Sequence, residues 1–395
     1  MNRLIMQPDE NRMLQRLARL VSFDTQNPPG HEAEAARFLA HELTEIGFDI
    51  SLSEFKPGRA NVVACLENGP GPTFAFNSHI DVVPTGEGWS SDPFKLSERN
   101  GLLYGRGSCD AKGPIVGMLE ALRDLLIHRD RWSGTLMAVF VADEEVASEG
   151  ARVYARSRPK IDYCIIGVPT SNSTVIAHKG SIRPRVAVLG AMAHSGMPDS
   201  GENAILRAGR LLGLIEDYHR DVLYQRTHSL CGRATLTVTR LAGGIADNVV
   251  PDRCELLLDR RLVPGETEDQ ARREIEELLE TAEKEFGVRS EIIEYVPTTG
   301  GPTETDVDAL IVRESLAAVA AHEGGDSSPR GFQGGCDLVH FRSIGATGTV
   351  IGPGSIDVAH KPDEYVPRDE LVRSGLIYRD VAMRILGDKT EPLPR

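Results

Sequence analysis

Four groups of polar side chains stand just after apolar runs or before a helical stripe, and they carry residue types that bind metals and transfer protons. The groups are His79 with Asp81, Asp110, Glu144 with Glu145, and His360. Imidazoles and carboxylates together suit a borderline divalent metal such as zinc. In open α/β sheets, ligands bind in the crevice at the carboxyl ends of the strands. The sequence therefore predicts a metal site in which these groups converge.

The spacing within two of these groups indicates separate roles for their members. Because Asp81 lies two residues after His79, it can reach the second ring nitrogen of His79 and fix the tautomer that binds metal. Glu144 and Glu145 leave the end of a predicted strand in different directions, so one can hold a metal while the other moves a proton. The glycine-rich stretch Gly105–Gly113 lacks the spacing of a phosphate-binding loop.

The elements that must position these residues alternate between buried strands and amphipathic helices. The predicted strands are Asn61–Leu66, Thr73–Phe76, Thr135–Ala142, Ile161–Ile166 and Gly348–Ile351. An apolar stripe at helical spacing follows Asp110, running from Ile115 to Leu126. This alternation predicts an α/β domain with a mostly parallel sheet flanked by helices.

The middle of the chain follows a different pattern, which is typical of a small α+β domain with an antiparallel sheet. Its predicted strands are Pro184–Leu189, Ala234–Arg240, Arg253–Asp259 and Val288–Ile293, and its predicted helices are Asn203–His219 and Thr267–Phe286. Strand–helix alternation resumes after Pro302. We therefore expect a catalytic domain of residues 1–180 and 298–395, interrupted by an inserted lid or dimerisation domain of residues 181–297.

Composition excludes several classes of partner. With 44 Lys and Arg against 58 Asp and Glu, the net charge is −14, which repels nucleic acid. The longest apolar run, Thr135–Ala142, is shorter than the roughly 20 residues of a membrane-spanning helix. The six cysteines form no CxxC motif, and the N-terminal region has no apolar signal-peptide core. We expect a cytoplasmic protein that binds neither nucleic acid nor membrane.

Several motifs, in order along nearly the whole chain, resemble those of the M20 metallopeptidase family. They are Ser78–Pro84, Gly105–Gly113, Ala142–Glu145, Ala193–Ser195, Gly243–Pro251, Gly352–Gly354 and His360–Tyr365. The stretches Ile165–Ser171 and Ala177–Gly180 look closest to the branch of acetylornithine deacetylase and succinyl-diaminopimelate desuccinylase. The resemblance implies a zinc-peptidase-like catalytic domain with an inserted lid.

The resemblance also implies a role for each matching residue. It makes His79, Asp110, Glu145 and His360 metal ligands, with Asp110 bridging two ions, and it implies a cis peptide bond after Asp110. Glu144 would be the general base and Asp81 the partner of His79. On the lid, His194 would enter the site of a neighbouring subunit and steady an oxyanion, while Asn248 and Arg261 would bind a substrate carboxylate. A homodimer or larger homo-oligomer formed through the lid is therefore expected.

Val168 departs from the family pattern, which has Glu or Asp at this point as a ligand of the first metal. Without that acid the first site keeps His79 and Asp110, whereas the second keeps Asp110, Glu145 and His360. A catalytic zinc commonly needs about three protein ligands. We expect one tightly bound divalent transition metal (Zn, Mn or Co) per chain, with the other site weakened by Val168.

The resulting hypothesis is an amidohydrolase that cleaves the C–N bond of a small carboxylate-bearing substrate, foremost an N-acyl amino acid, through metal-activated water and Glu144. Two alternatives remain open. A diverged one-metal member could hydrolyse another C–N bond, in a carbamoyl group or an aromatic amine. A non-catalytic or inactivated protein is the other alternative, because Val168 replaces a ligand, although Glu144, Asp81 and His194 argue against it.

Overall fold

A computed structural model describes residues 7–323 and 328–387 of the chain. The chain divides into two compact units. The first is formed by the described parts of Met1–Ile176, Thr305–Arg330 and Cys336–Arg395, and the second by Ala177–Glu304 with Gly331–Gly335. Among the described residues, no helix combines the length and the apolar character that a bilayer span requires.

The first unit is built on a mixed sheet with helices packed against it. From one edge, its neighbouring strands are Asp49–Lys56, Arg59–Asn68, Gly134–Val141, Thr73–His79, Tyr163–Gly167, Thr347–Val350 and Val175–His178. The four strands from Gly134–Val141 to Thr347–Val350 run parallel to one another, and the outer pairings are antiparallel. The predicted α/β class with a mainly parallel central sheet is confirmed.

The helices of the first unit form where the sequence spaces apolar residues along one face. They are Glu10–Val21, Ala33–Ile46, Lys112–Ile127, Glu149–Arg156, Leu310–Glu323, Leu338–Ser343 and Arg368–Leu386. Helix Ala33–Ile46 ends at Gly47, whose φ of 114° is the left-handed conformation that glycine adopts without strain. Lys112–Ile127 and Arg368–Leu386 pack closely, because a Cβ on Gly117 would lie 2.2 Å from the Ser374 hydroxyl. Short strands Ser97–Arg99, Leu102–Tyr104 and Tyr365–Pro367 form a separate sheet.

The second unit contains an antiparallel sheet with two long helices. The strand order is Thr235–Gly243, Arg253–Leu262, Gly180–Leu189 and Ser290–Val296. Buried residues alternate along Arg253–Leu262, as expected when one face of a sheet is covered. The helices are Ala204–Asp221, capped by Asn203, and Glu268–Phe286, capped by Thr267. Together their apolar faces and the sheet form the core of this unit.

Candidate metal centre

The parallel strands bring two of the four predicted groups, together with Val168, to one edge of the sheet. His79 ends its strand and is paired in register with Val141, the last residue of the neighbouring strand, after which Glu144 and Glu145 follow. On the other side, Ser78 is paired with Gly167, so Val168 leaves the sheet beside the His79 strand. Carboxyl ends of adjacent parallel strands meet here, which is the position that open α/β sheets use for ligands.

Two loops complete a cluster of imidazoles and carboxylates around Asp110. The Nε2 atom of His79 lies 3.1 Å from Asp110 Oδ1, and the Nε2 atom of His360 lies 3.3 Å from Asp110 Oδ2. His360 Nε2 is also 3.0 Å from Glu145 Oε2. Each oxygen of Asp110 therefore faces a different histidine.

The donor set fits a divalent transition metal. One ligand atom from each of His79, Asp110 and Glu145 lies within 4.8 Å of the others. Glu145 Oε1 is buried and has no hydrogen-bond partner among the described residues, which leaves this oxygen available to a cation. Imidazole nitrogens and carboxylate oxygens are common zinc ligands. The peptide bond between Asp110 and Ala111 is cis, as the sequence resemblance implied.

Asp81 orients the segment that carries both glutamates. Its Oδ1 and Oδ2 accept hydrogen bonds from the backbone N–H groups of Glu144 and Glu145, each at 3.1 Å. His79 Nδ1 lies 3.0 Å from the backbone oxygen of Asp81 and 3.6 Å from Oδ1 of its carboxylate. The backbone carbonyl is thus the nearer partner of the ring. The carboxylate of Asp81 lies beside the ring and also fixes where Glu144 and Glu145 leave the strand.

Behind Asp81 lies a buried polar network that the sequence interpretation did not identify. The side-chain amide of Asn27 donates to Asp81 Oδ2 and to Asp143 Oδ1, both at 2.9 Å. Asp143 also accepts from Arg59 at 2.8 Å, and Arg59 forms a two-point ion pair with Glu32. Asn27 precedes two prolines, and this sequence pattern indicates a turn but gives no sign of a buried hydrogen-bonding role. Its partners become visible only once the loops are folded together.

The charges of the cluster shift the pKa values of its members. Burial alone lowers the pKa of His79, but hydrogen bonds to Asp110 and Asp81 outweigh it and raise that pKa well above its ordinary value. Hydrogen bonds to Asp110 and Glu145 raise the pKa of His360 to about 11. Burial acts to raise the pKa of Asp110, yet the two histidines lower it. The carboxylates therefore favour the protonated form of both rings at the point where a cation would bind.

Glu144 lies beside this cluster and differs from it in environment. Its side chain is almost completely buried, and burial raises its pKa well above the ordinary value for glutamate. A nearby carboxyl group, Asp337, is also buried, and burial raises its pKa to about 6. Asp337 was not predicted from the sequence, although only Cys336 separates it from the turn glycines Gly334 and Gly335. A buried carboxyl with a raised pKa is suited to accept and return a proton near neutral pH.

Val168 lies just beyond the end of strand Tyr163–Gly167, where the sequence resemblance implied an acid. Its side chain is buried and offers no donor atom. The backbone of Gly352 approaches closely, because a Cβ on Gly352 would lie 2.3 Å from the Val168 oxygen. On the Val168 side of the cluster, the donors described above are therefore those of His79 and Asp110.

The other three predicted site residues lie on the second unit. His194 and Asn248 are close to each other, since the backbone N–H of Ser195 donates to the backbone oxygen of Asn248 at 2.9 Å. His194 Nδ1 accepts from the Gly196 N–H at 3.0 Å, so its Nε2 carries the proton when the ring is neutral. Arg261 is partly exposed on its strand and forms an ion pair with Asp259 at 2.6 Å.

Comparison with known proteins agrees with this geometry. Residues 75–384 match the model of Peptidase family M20/M25/M40. The chain is 34% identical over 352 residues to an acetylornithine deacetylase of Myxococcus xanthus, covering 87% of this chain and 85% of that protein.

Solved structures with the same fold were also found. One is the aminopeptidase PepT of Bacillus cereus, with a TM-score of 0.78 and 22% identity, covering 96% of this chain and 99% of that one. Another, with a TM-score of 0.71 and 18% identity, covers 95% of this chain and 98% of a dinuclear metal-binding M20 peptidase from Bacillus subtilis. The chain therefore belongs to peptidase family M20/M25/M40 and is a metal-dependent hydrolase.

Proposed function

We propose that this enzyme hydrolyses the acyl C–N bond of an N-acylated amino acid. The observation that carries the proposal is the convergence of His79, Asp110, Glu145 and His360 on one point, with Glu144 adjacent to it. The curated relatives at 32–34% identity are acetylornithine deacetylases, which makes N-acetylornithine the first substrate to test. Free cysteines support a cytoplasmic location.

In this proposal Asp110 would be shared by two metal positions. Its Oδ1 faces His79 and its Oδ2 faces His360, so the two oxygens are directed to different ligand sets. One position has Asp110, Glu145 and His360, which is the three-ligand set of a catalytic zinc. The other has His79 and Asp110 beside Val168. We infer one tightly held Zn, Mn or Co ion per chain and a weakened second position.

A divalent ion bound at this centre supplies Lewis acidity, polarising the scissile carbonyl and making water more acidic. Glu144 then acts as general base: it takes the proton from the attacking water and returns it to the departing amine. Its burial excludes competing solvent, and Asp81 fixes the backbone from which its carboxylate extends. The carboxyl group of Glu144 is therefore the proposed proton carrier in both halves of the reaction.

The residues on the second unit are proposed to bind the substrate. Arg261 and Asn248 would hold its carboxylate, since a guanidinium pairs with a carboxylate in two-point fashion. His194 would donate from Nε2 to the oxyanion, which agrees with the tautomer fixed by its Nδ1 contact to Gly196. We propose that this unit, with predicted boundaries at residues 181 and 297, is a lid and dimerisation domain.

A homodimer through the second unit would cover apolar surface that the chain alone exposes. Leu206 and Ile245 are 71% and 74% exposed, and Met197 lies beside the His194 turn with 61% exposed. Strand Thr235–Gly243 is an edge of its sheet, and long open edges favour pairing with another chain. These features support the proposal that His194 serves the centre of a partner subunit.

Mixing two inactive variants tests this subunit exchange. If His194 serves the partner subunit, a dimer of one His194→Ala chain and one Glu144→Gln chain contains one complete centre. Dissociating and reassociating the two variants together should then recover a substantial share of wild-type turnover, while each variant alone stays inactive. No recovery, in mixtures that light scattering identifies as dimers, would place His194 in its own chain's centre or outside catalysis.

The substrate class is tested with a panel of small molecules on metal-loaded protein. We expect turnover of N-acetylornithine or another N-acyl amino acid, and no turnover by Glu144→Gln. Hydrolysis of carbamoyl amino acids or aromatic amines alone would favour the one-metal alternative that Val168 suggests. Metal binding without hydrolysis of any of these compounds would contradict the proposed reaction.

A further inference from the structure

A buried ion pair between Arg106 and Glu364 contacts the loop that carries Asp110. Glu364 Oε1 accepts the backbone N–H groups of Cys109 and Asp110, at 3.1 and 3.0 Å. Its other oxygen, Oε2, accepts from Arg106 Nη1 at 2.5 Å. Both side chains are only 1% exposed. Glu364 thus fixes the backbone nitrogen of the residue whose carboxylate lies at the middle of the metal centre.

The same arginine reaches the loops that carry the two histidines. Arg106 Nη2 donates to the backbone oxygens of Pro84 and Thr85, at 3.3 and 3.2 Å, in the segment that follows His79. Arg106 Nη1 also lies 3.3 Å from the oxygen of Lys361, the residue after His360. One planar guanidinium therefore joins three ligand-bearing segments, which a lysine ammonium could not do with the same geometry.

Because the pair is buried, removing either Arg106 or Glu364 destabilises the segments that the pair contacts. Removing one member of a buried ion pair leaves an uncompensated charge, and that loss exceeds what a surface pair contributes. Here the loss would fall on segments 84–85, 106–110 and 361–364, which contain Asp110 and continue from His79 and His360 along the chain. Metal ligands depend on such outer contacts, whose removal typically weakens metal binding about 10–100-fold.

We propose that Arg106 and Glu364 are positioning residues that set the geometry of Asp110 and His360 for metal binding. The inference rests on the proposed metal centre. It assigns a function to two residues that lie inside motifs shared with the family yet donate no ligand. The pair acts through the backbone: Glu364 through the N–H of Asp110, and Arg106 through the carbonyl beside His360.

The decisive variant is Glu364→Gln, measured by zinc affinity. Both oxygens of Glu364 accept hydrogen bonds, whereas glutamine offers one oxygen and one NH₂ donor. Whichever way the amide is turned, a donor must face either Arg106 or the N–H groups of Cys109 and Asp110. The metal-free variant is titrated with zinc in competition with a chromogenic chelator, and its zinc Kd should be about 10–100-fold higher than that of the unaltered chain. A thermal unfolding scan of the same metal-free sample measures its stability.

Glu120→Gln provides a matched control. Glu120 is also a buried carboxylate paired with arginines, with Arg12 Nη2 at 2.6 Å and Arg16 Nη1 at 3.3 Å, in the same unit. The hydrogen bonds and ion pairs described for these three residues reach no ligand-bearing loop. We expect Glu120→Gln to lower the unfolding temperature while its zinc Kd stays within about threefold of wild type.

Equal zinc Kd values for Glu364→Gln and Glu120→Gln would overturn the inference and leave the pair a purely structural one. If Glu364→Gln does not fold, Arg106→Lys decides, because it keeps the buried positive charge and loses the planar fork. Arg106→Lys should also weaken zinc binding, and an unchanged Kd would overturn the proposal. Failure of the unaltered chain to bind zinc at all is a separate result, which removes the metal centre itself and this inference with it.

Discussion

Asp81 accepts a hydrogen bond from the backbone N–H of Glu144, with Oδ1 3.1 Å from that nitrogen. Its second oxygen accepts from the next N–H, that of Glu145. One carboxylate therefore fixes the proposed base and the proposed ligand together. The arrangement explains how adjacent glutamates can hold different roles, because the backbone between them cannot rotate freely.

Asp81→Asn should disturb both roles at once. An amide has one acceptor oxygen, so at least one of the two N–H groups loses its partner or faces a donor. We expect zinc affinity to fall about 10–100-fold and kcat to fall as well. Asp162→Asn is the matched control, since the side chain of Asp162 accepts the Thr73 N–H at 2.8 Å, at the end of the strand opposite His79. Similar kinetics for the two variants would argue against an orienting role for Asp81.

Changing Glu144 and Glu145 to glutamine one at a time should have different effects on activity and on metal content. Glu144→Gln removes the proton carrier, so kcat should fall by about 10²–10⁴-fold while metal content stays near that of wild type. Glu145→Gln removes a negative ligand, so metal content should fall together with activity. Elemental analysis after gel filtration and initial rates on the same samples check both. The reverse pattern would mean that the two roles are exchanged.

Val168→Glu should raise the metal stoichiometry from about one toward two ions per chain. Two cations about 3.5–4 Å apart repel strongly unless negative ligands offset them. Val168→Gln is the control for size, since it introduces a neutral side chain of the same length and should leave the stoichiometry unchanged. Elemental analysis of all three proteins decides. Two ions at full occupancy in the unaltered chain would contradict the argument.

Metal binding should release protons at neutral pH. The raised pKa values of His79 and His360 keep both rings protonated there in the metal-free chain, whereas a metal binds only the neutral ring. Zinc binding should therefore release about one proton or more per ion. For each proton released, Kd should fall about tenfold when the pH rises by one unit. Calorimetry in buffers of different ionisation enthalpy measures the release. Histidine normally titrates at about pH 5–8. A Kd that stays constant from about pH 6 to pH 8 would therefore exclude a histidine ligand.

Much of the sheet could be predicted because its strands are short, apolar and followed by polar residues. The predicted run Thr73–Phe76 lies within Thr73–His79, and Thr135–Ala142 overlaps Gly134–Val141. The convergence of His79, Asp110, Glu145 and His360 followed from the rule that ligands bind at the carboxyl ends of parallel strands. His79 ends a predicted strand, Glu145 follows one and Asp110 precedes a predicted helix, whereas His360 lies in a loop beyond strand Thr347–Val350.

The supporting contacts could not be predicted in the same way. Arg106 and Glu364 lie far apart in the sequence, and neither has a local pattern that indicates burial. Asn27 bridges Asp81 and Asp143 from a loop whose prolines indicate only a turn. Such pairings depend on how loops meet after the sheet has formed. These pairings depend on the spatial order of the strands in the sheet, which differs from their order in the sequence.

The most direct test of the central claim is a zinc-soaked crystal with anomalous diffraction measured at the zinc edge. The account predicts a strong peak within about 2.0–2.2 Å of donor atoms of Asp110, Glu145 and His360, and a weaker peak or none beside His79 and Val168. A strong peak coordinated by none of these residues, or no peak at the carboxyl edge of the sheet, would contradict it.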